Sequence, residues 1–188
     1  MKNDMVDSLH ICPSWLGQIL DNPIRRLIHN PKEIFGGYIE RGQTVLDIGC
    51  GSGTFTIAMA KMVGENGKVI AVDVQDEMLL LVRKKAVKEG IESRIITHKS
   101  GPNGIGITDR VDFALAFYMV HEVPDAQAFL KEIAGHLKPG GKLLIVEPKI
   151  HVSASSFNNM LEAARLAGLK PISEPEIRFS RSMLFQSP

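Results

Sequence analysis

The segment Val45-Leu46-Asp47-Ile48-Gly49-Cys50-Gly51-Ser52-Gly53-Thr54 constrains this chain more than any other. A short apolar run enters three glycines at alternate positions, and an apolar helical stretch, Phe55–Val63, follows. Glycines at this spacing let a backbone take left-handed angles and approach a ligand closely. The segment therefore reads as a strand, a tight turn and a helix start.

The rest of the chain repeats the alternation. Strand-like runs fall at Thr44–Gly49, Lys68–Val74, Arg94–His98, Val111–Tyr118 and Lys142–Glu147. Helical stretches lie between them, from Asp76 to Glu89 and after a capping Asp125, where Phe129, Leu130, Ile133, Ala134 and Leu137 share one face. Ser155–Ala167 is a further helix, stopped by Gly168, and the tail to Gln186 has room for two more strands. Ser100–Arg110 reads as loop, and Pro139-Gly140-Gly141 as a turn. The strand runs are almost continuously apolar, as in a parallel sheet covered on both faces. The expected fold class is α/β, a doubly wound Rossmann-like domain. Ligands in such folds sit at the carboxyl ends of the strands.

The first 40 residues differ. Cys12-Pro13, Asn22-Pro23 and Asn30-Pro31 predict short helices starting near each proline. The last would put Ile34, Phe35 and Tyr38 on one face, weakened by Gly36-Gly37. Residues 1–40 are expected to form a helical lid belonging to the same domain as residues 41–188.

Composition narrows the function. The 188 residues carry 22 Lys+Arg against 21 Asp+Glu, a formal net charge of +1. That balance disfavours a broad nucleic-acid footprint, although a local basic patch is compatible with it. Cys12 and Cys50 have neither disulfide nor zinc spacing, so no metal site is expected. The N-terminus has no apolar core of a signal peptide, and no run reaches about 18 apolar residues. A cytoplasmic protein without a membrane span is the expectation.

The obvious competitor for the glycine turn is the dinucleotide fingerprint G-x-G-x-x-G. It fails, because Thr54 stands three residues after Gly51. An acid, Asp47, precedes the glycines instead; it would oppose a pyrophosphate and suit a ligand carrying an ammonium group. A second acid, Asp73, ends the next strand, where a carboxylate commonly accepts hydrogen bonds from ribose hydroxyls.

With these motifs, and with Phe113–Asp125 and Leu137-Lys138-Pro139-Gly140-Gly141-Lys142-Leu143, the chain from about Gly42 onward resembles the class I methyltransferases that use S-adenosylmethionine. That cofactor has an amino-acid end and no phosphate. The resemblance implies a seven-stranded, mostly parallel sheet with an antiparallel last strand, Gly49, Gly51 and Gly53 beside the cofactor, and Asp73 on its ribose. The family's acid after the third strand is missing from Thr97-His98-Lys99-Ser100-Gly101. Ser100 or a backbone carbonyl must replace it, or Lys99 points away. Asp47, Cys50, Val74, Met78 and Phe117 complete the expected cofactor lining. Cys50 is equally a packing residue of the turn, and Met78 equally a core residue.

The reacting side is sought in Phe117–Asp125. Phe117 and Tyr118 could lay aromatic faces near a sulfonium. His121 is the candidate general base, with Glu122 to orient it or to bind a cationic substrate. The plainer reading is a loop in which His121 covers the cofactor and Glu122 is solvated. Glu147 and His151 either line a substrate pocket or belong to a surface turn, and Cys12 and Trp15 lie in the lid. The acceptor is expected to be a small molecule. An RNA or protein methyltransferase, or a cofactor-binding module without catalysis, are the alternatives.

Overall fold

The computed structural model describes residues 28–101 and 104–188. The helices expected near Pro13 and Pro23, Cys12 and Trp15, and most of the expected lid lie outside the described residues.

Seven strands form one sheet: β1 (Thr44–Ile48), β2 (Lys68–Asp73), β3 (Ile95–Lys99), β4 (Val111–Phe117), β5 (Leu137–Pro148), β6 (Lys170–Ser173) and β7 (Ser180–Gln186). Their order is β3-β2-β1-β4-β5-β7-β6. The pairs β1–β2, β2–β3, β1–β4 and β4–β5 are parallel. β7 inserts antiparallel between β5 and β6. This is the expected sheet, with the last strand reversed. Between the strands run α1 (Pro31–Phe35), α2 (Thr54–Val63), α3 (Asp76–Glu89), α4 (Ala126–His136) and α5 (Ala154–Leu166). Among the described residues, no helix is long and apolar enough to cross a membrane.

Burial explains the near-continuous apolar strands. Leu46 and Ile48 join Ala114, Leu143 and Met183 in one apolar layer with α4 and α5. Val45 joins Phe113, Leu115, Leu144 and Leu184 in the opposite layer with α1 and α2. Successive residues of one strand thus feed both layers. N-caps start α1 and α4 where expected. The Asn30 carboxamide accepts from Lys32 N–H at the start of α1, and Asp125 accepts from Ala128 N–H at the start of α4. Ile34 and Phe35 are buried, and α1 ends before the Gly36-Gly37 pair. Tyr38 therefore lies beyond the helix, stacked 6.1 Å from Phe113.

One expected turn is corrected. Pro139-Gly140-Gly141 lies within β5, which runs unbroken from Leu137. The partner register slips between Val111 and Phe113 to absorb the extra residues. Gly140 N–H donates to the Ser187 carbonyl, and Ser187 N–H to that of Gly141. The turn-forming residues make a bulge, because backbone partners are available on both sides.

Candidate active site

All five parallel strands deliver their carboxyl ends to one edge, and the sheet order reverses between β1 and β4. Ser180, the first residue of β7, reaches the same edge opposite Pro148. The glycine turn after β1, Asp73 at the end of β2 and the Tyr118–Glu122 segment after β4 all lie at this edge.

The glycine turn leaves β1 at Gly49 and closes on Gly53, whose carbonyl accepts from Ile57 N–H in the first turn of α2. Asp47 is buried in β1, and its Oδ2 accepts the Thr56 hydroxyl at 2.5 Å. Strand end and helix start are thereby tied together. Asp73 fastens the turn from the other side. Its Oδ2 accepts Gly51 N–H at 2.8 Å, and its Oδ1 accepts Gln75 N–H at 3.0 Å. Burial raises the Asp73 carboxyl above the usual carboxylate range, partly offset by these backbone donors and Val74 N–H.

At Gly51, with φ +52°, a Cβ would meet nothing within 4 Å. The turn therefore leaves open space at the residue whose N–H reaches the Asp73 carboxylate. Gly53 is the reverse case: at φ +85°, a Cβ would stand 2.8 Å from Val82 Cγ2. One glycine leaves space for a ligand; the other lets the turn pack on α3.

The other expected lining residues are distributed unevenly. Val74 is half-exposed and Met78 is buried. Ser100 N–H donates to the Asp73 carbonyl, which puts it next to the acid. Lys99 turns outward to Asp76. Cys50 is buried in a small cluster with Ala71, Leu79 and Val82, and burial pushes its thiol well above the ordinary range. It is a packing residue with no thiolate character. Phe117 packs in the core, its ring 4.6 Å from Phe55 and 5.2 Å from His29. Tyr118 holds a left-handed backbone, φ +59°. Its hydroxyl meets Ser180 Oγ at 2.6 Å and His29 Nε2 at 3.3 Å.

The sharpest departure from expectation concerns the two acids near His121. Glu147 belongs to no surface turn; it is fully buried near the end of β5. Its Oε1 accepts from Val120 N–H at 2.9 Å and His121 N–H at 3.3 Å. Its Oε2 lies 2.5 Å from His121 Nδ1. Glu147, and not Glu122, orients the imidazole, because the 3-10 turn Val120–Glu122 wraps around its carboxylate. This bond raises the His121 pKa, with the Glu147 and Glu122 charges adding to it. Burial raises the Glu122 carboxyl, and the charges of Glu147 and Asp73 push it further. The His151 ring lies parallel to His121, 6.3 Å away. Sequence reasoning missed Glu147 as the partner, Thr56 beneath Asp47 and the His29–Tyr118–Ser180 cluster. The one available signal was an acid ending the apolar run Leu143-Leu144-Ile145-Val146.

A turn open at Gly51, anchored by an acid at the end of β2, at the switch point of a 3-2-1-4-5-7-6 sheet, has clear relatives. Residues 45–141 match the family model described as a methyltransferase domain. The chain belongs to this methyltransferase family. Solved structures agree on the fold. A SAM dependent methyltransferase from Aquifex aeolicus superposes with a TM-score of 0.82 at 28% identity, covering 94% of this chain and 99% of that one. The demethylmenaquinone methyltransferase of Lactobacillus johnsonii is 37% identical over 110 residues, 58% of this chain and 45% of the relative. The ubiquinone/menaquinone biosynthesis C-methyltransferase of Salmonella arizonae is 34% identical over 110 residues, 58% of this chain and 44% of the relative. The chain thus spans less than half the length of these curated relatives.

Proposed function

We propose that this chain transfers a methyl group from S-adenosylmethionine to a small-molecule acceptor. The observation that carries the proposal is the glycine turn, open at Gly51, held by Gly51 N–H to the buried Asp73 carboxylate at the end of the next strand. With Gly51, Gln75 and Val74 N–H donating to it, the Asp73 carboxylate keeps one of its roughly four lone-pair sites for a ribose hydroxyl. Two buried acids, Asp47 and Asp73, flank the turn. The Asp47 charge opposes a pyrophosphate and favours a phosphate-free ligand with a cationic end, whereas Asp73 suits a ribose in either ligand. The residues present therefore fit S-adenosylmethionine better than a dinucleotide. Bound there, it would supply an electrophilic methyl group on a sulfonium.

Gly49, Gly51, Gly53 and Asp73 form the cofactor cradle in this reading. Val74, Ser100 and Met78 stand on the adenine side. Asp47 and Cys50 support the turn from below, and Phe117 supports the strand edge. The acceptor meets the edge formed by Tyr118–Glu122 and Glu147–His151. A groove of about 690 Å³, which Lys149, Phe157, Arg178, Phe179 and Ser180 help to line, adjoins that edge. Its size suits a small organic molecule. The relatives named for demethylmenaquinone and for ubiquinone/menaquinone biosynthesis support a small-molecule acceptor. Phe35, packed on Phe55 and Phe113, supports reading the N-terminal segment as part of the same domain.

Calorimetry tests the cofactor. S-adenosylmethionine and its demethylated product, S-adenosylhomocysteine, should bind, and NAD should not. Absence of binding by both sulfur ligands would overturn the reading. Turnover against hydroxyl, amine and thiol acceptors then separates an enzyme from a binding module.

A further inference from the structure

The buried Glu147 carboxylate is the least expected group at the strand edge. A carboxylate withdrawn from water is costly unless its lone pairs are filled. Here Val120 N–H, His121 N–H and the His121 ring occupy three of roughly four. If its task were only to cap the 120–122 turn, the two backbone donors would suffice. The ring bond adds something else. An ionised carboxylate only accepts hydrogen bonds, so the Nδ1 proton of a neutral His121 is held toward Oε2, and Nε2 presents a lone pair on the opposite side of the ring. The side chain is 27% exposed, so the ring is not sealed in the core.

The turn that carries His121 also adjoins the cofactor cradle. Met119 lies against the glycine turn: a Cβ on Gly49 would be 3.0 Å from Met119 Cβ. Glu122, on the other side of His121, feels the charge of Asp73. The turn that carries His121 is thus wedged between the cradle and β5. The titratable groups around the ring are Glu147 from β5, Glu122 from its own turn and His151 from the segment after β5.

We propose that His121 is the proton acceptor of the methyl transfer, that Glu147 is its positioning residue, and that the acceptor therefore bears a proton on its nucleophilic atom. This rests on the function proposed above. The substrate class is a hydroxyl, an amine or an acidic C–H compound, and excludes an acceptor that arrives as an anion. As the new bond to the methyl carbon forms, the carbon–sulfur bond breaks and its electron pair remains on sulfur. The proton of the nucleophilic atom passes to Nε2 of His121. The imidazolium is stabilised by the Glu147 carboxylate until the proton leaves to solvent. A base with a raised proton affinity suits this task near neutral pH.

Nitrogen-15 NMR of the histidine rings in the 188-residue chain tests the proposal, with His121 assigned through His121→Gln. In the wild type the neutral ring should be the Nδ1–H tautomer, and Glu147→Gln should lower its titration midpoint. The S-adenosylmethionine complex should titrate about half a pH unit or more below the S-adenosylhomocysteine complex, because a unit positive charge nearby opposes protonation. An Nε2–H tautomer, or equal midpoints in the two complexes, would overturn the proposal. Should Glu147→Gln fail to fold, the wild-type tautomer and the two-complex comparison decide alone. Calorimetry on the same samples separates the two readings. Absence of binding overturns the proposed function and this proposal together, whereas binding with equal midpoints overturns only this one.

Discussion

Gly51 and Gly53 sit two residues apart, both with positive φ, and the structure assigns them opposite tasks. Replacing each with alanine separates the tasks. At Gly51, φ +52° lies in the left-handed region and the added methyl meets nothing within 4 Å. The cost to the fold is the backbone term alone, about 1 kcal/mol. At Gly53, φ +85° lies outside the ordinary left-handed well, and the methyl would stand 2.8 Å from Val82 Cγ2. Val82 is wholly buried, so α3 must shift or the turn must open. Overpacking of this kind adds about 1–3 kcal/mol to a backbone cost of about 1–2 kcal/mol.

For a chain of this length, 1 kcal/mol moves the melting temperature by about 2–4 °C. Gly51→Ala should therefore melt about 2–4 °C below the wild type, and Gly53→Ala about 4–20 °C below it. Binding should follow another order. The Gly51 methyl would project into the open space proposed for the cofactor, so Gly51→Ala should weaken S-adenosylhomocysteine at least about tenfold, a loss of about 1.4 kcal/mol. Differential scanning fluorimetry and calorimetry on the two variants measure both quantities. If Gly51→Ala binds the ligand as the wild type does, the open space at Gly51 is not the cofactor site. If Gly53→Ala melts with the wild type, the tight packing of the turn on Val82 is wrong.

Asp73→Asn removes the carboxylate proposed to receive the ribose. The loss of one charge-assisted hydrogen bond, about 1.5–3 kcal/mol, should weaken S-adenosylhomocysteine by about 10- to 150-fold at pH 7. Stability should behave differently. The Asp73 pKa is raised above its ordinary 3.8 in the folded chain, so its titration favours folding fully below that ordinary value, and this contribution is lost as pH rises through the raised one. The wild type should therefore gain melting temperature relative to Asp73→Asn as pH falls toward 4; a wild-type melting temperature that falls relative to Asp73→Asn on acidification would refute the assignment. Asp125→Ala supplies a control away from the cradle. Losing the cap on Ala128 N–H should cost about 1 kcal/mol and 2–4 °C, while ligand binding stays at the wild-type value.

How far the sequence reaches depends on the range of the interaction involved. β1, β2 and β4 were legible because each is a local apolar run closed by glycine or by a change to polar residues. α3 was legible because Asp76 begins it and Gly90 ends it. The reversal of β7 came from family resemblance, since no local pattern in Ser180–Gln186 states its direction. Pro139-Gly140-Gly141 shows the converse. Its residues are turn formers, yet two neighbouring strands supply backbone partners and a register slip turns them into part of β5. Tertiary pairing overrode local chemistry there.

The site divides in the same way. Asp47, the three glycines and Asp73 are legible because the cradle is one strand, one turn and the end of the next strand. His121 was legible as a base, but its partner was not. Glu122 is adjacent in sequence, whereas Glu147 lies 26 residues away and meets the ring only through the parallel pairing of β4 with β5. Sequence adjacency favoured Glu122, whereas the ring's hydrogen-bond partner is Glu147. The difference is chemical as well as geometric. A half-exposed Glu122 would leave the imidazole free to rotate in water, whereas a fully buried Glu147 anchored by two backbone donors holds it in one tautomer. A proton acceptor needs that constraint, so the long-range contact hidden from the sequence is the one on which the proposed chemistry depends.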